Sequence, residues 1–206
     1  QTVENLMKND PVSGSTIVRE FAHWDDIDVH IHGACIRSSG HGFIGIGRKR
    51  LLQILQDRAL ELGVRLVFET EFEADLSRYQ DYDLIVAADG INSRIRTEHA
   101  ERFGVDIETR ANKFIWLGTK RLFEAFAFLF EKTEHGWMWA HAYRFDRTHS
   151  TFIVECSEET WRNFGFEDME QAEIIATCER VFAAHLGGEA LLTNAAHLRG
   201  SAAWIN

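Results

Sequence analysis

A short stretch near the middle of the chain combines residue types that hold an anionic cofactor. An apolar run over 84–88 ends in Asp89 and Gly90, and Ser93 and Arg96 follow. An apolar strand that feeds a helix through a glycine turn is typical of an α/β unit, where ligands bind beyond the strand's carboxyl end. Gly90 lets the backbone approach a ligand, and Ser93 is predicted to cap the helix. The stretch therefore predicts a ligand site.

A second candidate is Arg48, which begins a predicted helix that runs to about Leu62 and ends at Gly63. Its predicted buried face is Leu51, Leu52, Leu55 and Ala59. Residues 64–68 are predicted as a strand of the sheet that residues 84–88 join. A lone arginine at a helix start is more often a solvated surface residue. Beside the Asp-Gly turn, a guanidinium that donates directed hydrogen bonds to a phosphate is favoured.

Size and charge limit the function classes. The 206 residues suit one large or two small domains, and an apolar share of 45% is ample for a core. A net charge of −10 argues against a general nucleic-acid partner. No run is long and apolar enough for a membrane span, and no signal peptide is visible, so we expect a cytoplasmic protein without a membrane partner. The three cysteines are expected to be free thiols.

The first 40 residues predict helices and a hairpin. One or two helices over 1–24 are expected to break near Pro11, and residues 27–38 alternate as a strand or as a hairpin through Gly33. His30 and His32 fall on one face of this alternation. Because a third metal ligand at fitting spacing is missing, we expect exposed strand histidines and no metal site.

Four aromatic and β-branched runs over 113–156 predict an antiparallel sheet. A sheet with one solvent-exposed face and one covered face suits the wall of a small-ligand pocket. Most of its aromatic residues are expected in the core, with one or two reaching a pocket. These aromatic residues are Trp116, Phe126, Phe128, Trp137, Trp139 and Tyr143. Two helices over 157–185 begin at Ser157, and a strand is expected over 196–205. The predicted fold class is α/β (α+β).

These motifs resemble those of the flavoprotein aromatic hydroxylases of the para-hydroxybenzoate hydroxylase type. The resemblance rests on the Asp-Gly stretch with Ser93 and Arg96, and on Arg48 with the leucines that follow it. Residues 114–119 and 196–202 extend it to the branch of salicylyl-CoA 5-hydroxylase and 2-aminobenzoyl-CoA monooxygenase. The resemblance implies FAD, NAD(P)H as co-substrate, dioxygen and an aromatic acyl-CoA ester, with no prediction of oligomeric state.

The resemblance also implies roles and domains. Residues 1–110 are expected to be a partial FAD/NAD(P)-binding Rossmann-like domain, and residues 111–206 an antiparallel-sheet substrate domain. The implied FAD contacts are Arg48, Asp89, Gly90, Ser93 and Arg96. His141 and Tyr143 are candidates for polarising the ring substituent, although structural hydrogen bonding is the commoner role of such side chains.

Two family segments are missing from the sequence, the N-terminal GxGxxG unit and a later Gly-Asp segment. The chain therefore resembles an internal fragment, which is expected to hold FAD weakly or not at all and to be inactive alone. No GxSxG, HExxH or Cys-His pattern suggests hydrolysis. Two other interpretations stay open: a flavin-dependent oxidoreductase that does not hydroxylate, and a non-catalytic module that binds through its sheet.

Overall fold

A computed structural model describes residues 2–71 and 75–193 of the chain. Residue contacts divide the chain into two units, one formed by 1–64 with 110–206 and the other by 65–109. The predicted division at residue 110 into a cofactor domain and a substrate domain stays a prediction. No helix within the described ranges is long and apolar enough to cross a membrane.

The first unit opens with two helices, α1 (Thr2–Asn9) and α2 (Pro11–Glu20), which confirms the predicted break at the proline. The predicted helical limit at residue 24 is wrong, because residues 22–24 form a strand. Proline suits the first position of a helix because its missing N–H needs no partner there. The helices approach closely at Gly14, where a β-carbon would lie 2.7 Å from the sulfur of Met7.

Helix α3 (Arg48–Glu61) begins and ends where predicted, and Gly63 follows it with a φ of 76°. Its predicted buried face is wrong, because Ile54 is the buried residue while Leu52 and Leu55 are 44% and 40% exposed. The side of α3 that faces α2 is set by Ile54 and by an ion pair from Arg58 to the residue before α2. These contacts turn the leucines away from α2.

The main sheet has seven strands in the order β3-β2-β6-β7-β8-β5-β9, and β1 and β4 form a separate two-stranded sheet. All pairings in the described residues are antiparallel except that of β2 with β6. The bounds are β1 Ala22–Trp24, β2 Ile27–Ile31, β3 Ala34–Ser38, β4 Phe43–Gly45, β5 Lys113–Thr119, β6 Phe126–Thr133, β7 Gly136–Arg144, β8 Ser150–Cys156 and β9 Leu191–Leu192. The antiparallel sheet predicted over 113–156 is confirmed.

The β2–β3 hairpin corrects the prediction that His30 and His32 share a face. Strand β2 ends at Ile31, and His32 and Gly33 form a two-residue turn in which both have positive φ. Such turns match the twist of paired strands. The alternation therefore stops before His32. Its ring lies 5.4 Å from the Trp137 ring, whereas the His30 ring lies 5.2 Å from that of His185.

Three helices cover one face of the main sheet: α6 (Glu158–Phe164), α7 (Gln171–Val181) and α8 (Ala183–Leu186). Ser157 caps α6 by accepting a hydrogen bond from the Thr160 N–H at 3.1 Å, as its residue type predicts. The sheet side of this core is built largely from small and aliphatic residues. The fully buried members include Ala140, Ala142, Leu129, Met138, Phe152 and Val154.

The predicted core position of the sheet aromatics is therefore wrong. The large rings alternate with the buried residues and lie on the opposite face, where none of the six is fully buried and Trp116 is 59% exposed. Small side chains let the helices approach the sheet closely, so the bulky rings occupy the face opposite α6, α7 and α8.

The second unit contains a 3₁₀ turn (Leu76–Tyr79) and two short helices, α4 (Arg94–Glu98) and α5 (Ala100–Phe103). The strands predicted over 64–68 and 84–88 are wrong, since neither segment pairs with another described strand. Leu84 and Val86 are 77% and 76% exposed. An apolar strand is buried only when neighbours pair with it and elements cover both faces, and the described part of 65–109 supplies neither.

The strand predicted over 196–205 lies outside the described residues. The α/β class itself, with a mostly antiparallel sheet, is confirmed.

Candidate flavin site and aromatic face

The Asp-Gly turn has the local structure that its residues predict. Gly90 has a φ of 81°, which favours glycine. Ser93 donates its N–H to the carbonyl of Gly90 at 3.2 Å, and its hydroxyl accepts a hydrogen bond from the Arg96 N–H at 3.0 Å. Ser93 is therefore the cap of α4, as predicted.

Asp89 points its carboxylate into the turn. One oxygen accepts a hydrogen bond from the Arg94 N–H at 3.2 Å. A hydrogen bond with Ser93 lowers the pKa of Asp89 most, and backbone N–H groups of the turn, including that of Arg94, lower it further. The carboxylate is therefore ionised at neutral pH and presents an acceptor to donor groups of a ligand.

Arg96 folds back on the same turn. Its guanidinium donates to the carbonyl of Gly90 at 3.3 Å and to that of Ile91. Its Nε is buried and has no hydrogen-bond partner among the described residues. Arg96 therefore fixes the turn through two backbone carbonyls, while its buried Nε–H has no partner in the described part of the chain.

Four of the five predicted cofactor residues line one cleft of about 480 Å³ within the second unit. These are Asp89, Gly90, Ser93 and Arg96, and the rest of the lining includes apolar residues such as Ile85, Val86, Ile95 and Phe103. A few placed polar groups in an apolar concave surface are typical of cofactor sites.

Arg48, the fifth predicted residue, lies at the start of α3 in the other unit, and its side chain is exposed. Its neighbour Arg50 makes a bidentate ion pair with Glu20, with N···O distances of 2.6 and 2.7 Å. Glu20, the acidic residue near this helix start, therefore pairs with Arg50. The cofactor role of Arg48 stays a prediction.

His141 and Tyr143 lie on β7, on the aromatic face of the sheet. The Tyr143 ring stacks on Phe126 at 5.2 Å and on Trp24 at 6.0 Å. The His141 ring lies edge-on to Phe128 at 5.0 Å. Both candidates therefore belong to one aromatic cluster that is half-buried rather than sealed in the core.

The environment of His141 favours its neutral form. Burial lowers the pKa of its imidazole, and the nearby carboxylate of Glu155 raises it by less. No side chain within the described ranges hydrogen-bonds the His141 ring. A neutral imidazole has one donor and one acceptor nitrogen, so His141 can hydrogen-bond a polar ring substituent.

Sequence reasoning missed two features of this face. Trp24 and Phe43, on the paired strands β1 and β4, pack on Tyr143 and Phe126 and extend the cluster. A second cleft of about 280 Å³ lies on β5 and β8, and Trp116, Phe145, His149 and Leu192 are among its lining residues. The contacts of Trp24 and Phe43 join distant parts of the chain, and no local pattern signals them.

The fold is shared with flavoproteins of known structure. PqsL, a probable FAD-dependent monooxygenase from Pseudomonas aeruginosa, superposes with a TM-score of 0.59 at 13% identity, over 95% of this chain and 57% of that one. CmlS, a flavin-dependent halogenase, superposes with a TM-score of 0.61 at 14% identity, over 93% of this chain and 40% of that one. The fold class is therefore that of the flavoprotein monooxygenases and halogenases. No protein-family model matches the chain.

Sequence relatives narrow the class. A salicyloyl-CoA 5-hydroxylase from a Streptomyces species is 36% identical over 94% of this chain and 39% of its own length. Protodeoxyviolaceinate monooxygenase from Chromobacterium violaceum is 34% identical over 80% of this chain and 44% of its length. A 3-hydroxy-4-methyl-anthranilyl-[aryl-carrier protein] 5-monooxygenase from Streptosporangium sibiricum is 32% identical over 93% of this chain and 50% of its length.

The chain is therefore similar in sequence to three monooxygenases, and the resemblance seen in its motifs is confirmed. It spans half or less of the length of these curated relatives.

Proposed function

We propose that the chain is part of an FAD-dependent monooxygenase that hydroxylates an aromatic acyl-CoA ester with NAD(P)H and dioxygen. The observation that carries the proposal is 36% identity to a salicyloyl-CoA 5-hydroxylase over 201 residues. The relatives named above are all monooxygenases, which favours hydroxylation over a flavin-dependent reaction without it.

The relatives also support an acyl group held by a carrier. Two of the three carry names in which the aromatic acyl group is attached to CoA or to a carrier protein. A PqsL structure contains 2-aminobenzoylacetate, a free acid that carries an aminobenzoyl ring. We infer that the substrate ring is an aromatic acid and that its carboxyl carbon bears a carrier.

The residues of the Asp89 cleft fit a flavin dinucleotide. An ionised carboxylate suits the hydroxyl donors of a ribityl or ribose group better than a phosphate, which it repels. Nothing described lies within 4 Å of the position of a β-carbon on Gly90, so the backbone is open to close approach there. The guanidinium of Arg96 has five N–H groups and donates two of them to the turn, so it can also donate to an acceptor on the cofactor. Bound flavin would supply the activation of dioxygen and the transfer of one oxygen atom.

The aromatic face suits the substrate side. The rings of Phe126, Phe128 and Tyr143 offer flat apolar surface for stacking, which excludes water from a bound ring. His141 offers a hydrogen bond to a hydroxyl or amino substituent and so orients the ring. We infer that His141 and Tyr143 act by orientation, since the family reaction needs no protein nucleophile.

The native protein that carries this chain tests the proposal with FAD, NADH or NADPH, and a panel of benzoyl-, 2-aminobenzoyl- and salicylyl-CoA esters beside the free acids. We expect an ester to trigger reduced-nicotinamide consumption together with an equal amount of hydroxylated ester. Consumption without a hydroxylated product would assign a flavin oxidoreductase. Absence of both flavin and turnover would assign a binding module.

The role of Arg48 is tested by Arg48→Ala in the same protein. Because Arg48 is exposed at a helix start, its loss should leave the melting temperature within about 2 °C while FAD affinity falls about tenfold. Lys49→Ala, at the next exposed position, is the matched control and should retain flavin. Equal flavin content in Arg48→Ala and wild type would remove the role.

A further inference from the structure

The β2–β3 hairpin brings together three side chains of types that bind metals. Asp28 and His30 lie on β2, and Cys35 lies on β3 directly opposite His30. One donor atom from each lies within 4.8 Å of the other two, and His30 Nε2 is 3.6 Å from Cys35 Sγ. We propose that Asp28, His30 and Cys35 form a Zn²⁺ site on the sheet face opposite the aromatic one.

The spacing of the nitrogen and the sulfur fits zinc. With Zn–N of about 2.0 Å, Zn–S of about 2.3 Å and tetrahedral angles, the two ligand atoms must be about 3.5 Å apart. His30 Nε2 and Cys35 Sγ are 3.6 Å apart, which is close to that separation. A carboxylate oxygen of Asp28 lies within 4.8 Å of both atoms and would be the third ligand at such a centre.

The neighbour of Asp28 supports this role. Arg37 donates two hydrogen bonds to the carboxylate, each 2.6 Å long. A carboxylate has about four lone-pair sites, so two remain for a metal. Metal-bound carboxylates are normally oriented by such outer hydrogen bonds. Arg37 therefore orients the ligand, and by sharing its charge it also weakens the metal bond.

The other two ligands lie side by side across the hairpin. His30 Nε2 contacts Cys35 Sγ, and the His30 ring lies edge-on to that of His185 at 5.2 Å. Cys35 is exposed and free, whereas Cys156 and Cys178 are buried. Burial raises the pKa of the Cys156 thiol to about 12 and raises that of Cys178 as well.

The ligands have space around them. Asp28 and His30 line a cleft of about 410 Å³ that also contains Arg121 and His185. This leaves a fourth coordination position for water or for an external anion, as in zinc sites with three protein ligands. The sequence predicts no metal site because no third ligand stands at fitting spacing along the chain. Strand pairing supplies that ligand from across the hairpin.

Co²⁺ is the probe, since it takes the same tetrahedral ligands and its bond to a thiolate absorbs in the near ultraviolet. We expect the reduced, untagged protein to bind one equivalent of Co²⁺ with this band, and Zn²⁺ to displace it. Cys35→Ser should abolish the band, and His30→Gln and Asp28→Asn should weaken binding about tenfold or more.

His32→Gln is the matched control, because that ring lies on the other face beside Trp137. It should bind Co²⁺ as wild type does, and circular dichroism should show all variants folded. Absence of saturable binding in folded wild type would show that Cys35 and His30 form only a hydrogen bond. A cobalt band that survives Cys35→Ser would equally overturn the site.

Discussion

The sheet of the first unit and the Asp-Gly stretch of the second differ in where their partners lie. Strands β5 to β8 pair with one another and pack under helices of the same chain, so Phe152 and Val154 are fully buried. The run over 84–88 is as apolar as these strands, yet Leu84 and Val86 are mostly exposed. Hydrophobic sequence alone does not bury a strand. Burial also requires partners.

The largest expected effect is the loss of stability when a buried side chain of the sheet is truncated, compared with truncation of a side chain in the run over 84–88. The Phe152 ring packs against those of Phe123 and Phe182, so Phe152→Ala should lower the free energy of unfolding by about 3–5 kcal/mol. Leu84→Ala, at a mostly exposed position, should change it by no more than about 0.5 kcal/mol. Urea unfolding followed by tryptophan fluorescence measures both. Equal losses would show that residues 84–88 are buried in solution.

A second pair compares two glycines with positive φ. A β-carbon on Gly136 would overlap the side chain of Thr160 at a φ of 132°, so Gly136→Ala should destabilise the protein by about 2–3 kcal/mol. Gly90→Ala has a φ of 81° with open space around it and should lose only about 1 kcal/mol. Thermal unfolding ranks the two, and the reverse order would contradict the turn geometry.

The smallest effect concerns pH. His141 has a lowered pKa in the folded protein, so acidification protonates the unfolded chain first and stability declines as the pH falls through about 6.5. His141→Gln should reduce the difference in melting temperature between pH 7.5 and pH 5.5. His23→Gln, on an exposed side chain, is the control. An unchanged difference in His141→Gln would show that its ring titrates freely.

The sequence predicts well what local patterns decide. Strand periodicity and turn residues locate β5 to β8, Ser93 and Ser157 are the caps that their types suggest, and Gly63 ends α3. In the site, the four residues of the Asp-Gly motif lie at one cleft, because they are close in sequence and share one turn.

Non-local packing explains what the sequence does not predict. The choice of Ala140 and Ala142, rather than Trp139 and His141, for the helix-covered face depends on how closely the helices approach. The Asp28–His30–Cys35 cluster depends on the register of β2 with β3. The face of α3 that is buried depends on its ion pairs with α2 and the residue before it. None of these three features can be predicted from a short run of residues.

We propose that the turn at Asp89 holds the flavin. The most direct measurement is the FAD affinity of the native protein that carries this chain, for wild type, Asp89→Ala and the control Asp83→Ala, an exposed acid of the same stretch. We predict an affinity at least about tenfold weaker in Asp89→Ala, because a charge-assisted hydrogen bond to the cofactor is lost, and no change in Asp83→Ala. Equal affinity in all three proteins would show that Asp89 does not hold the flavin.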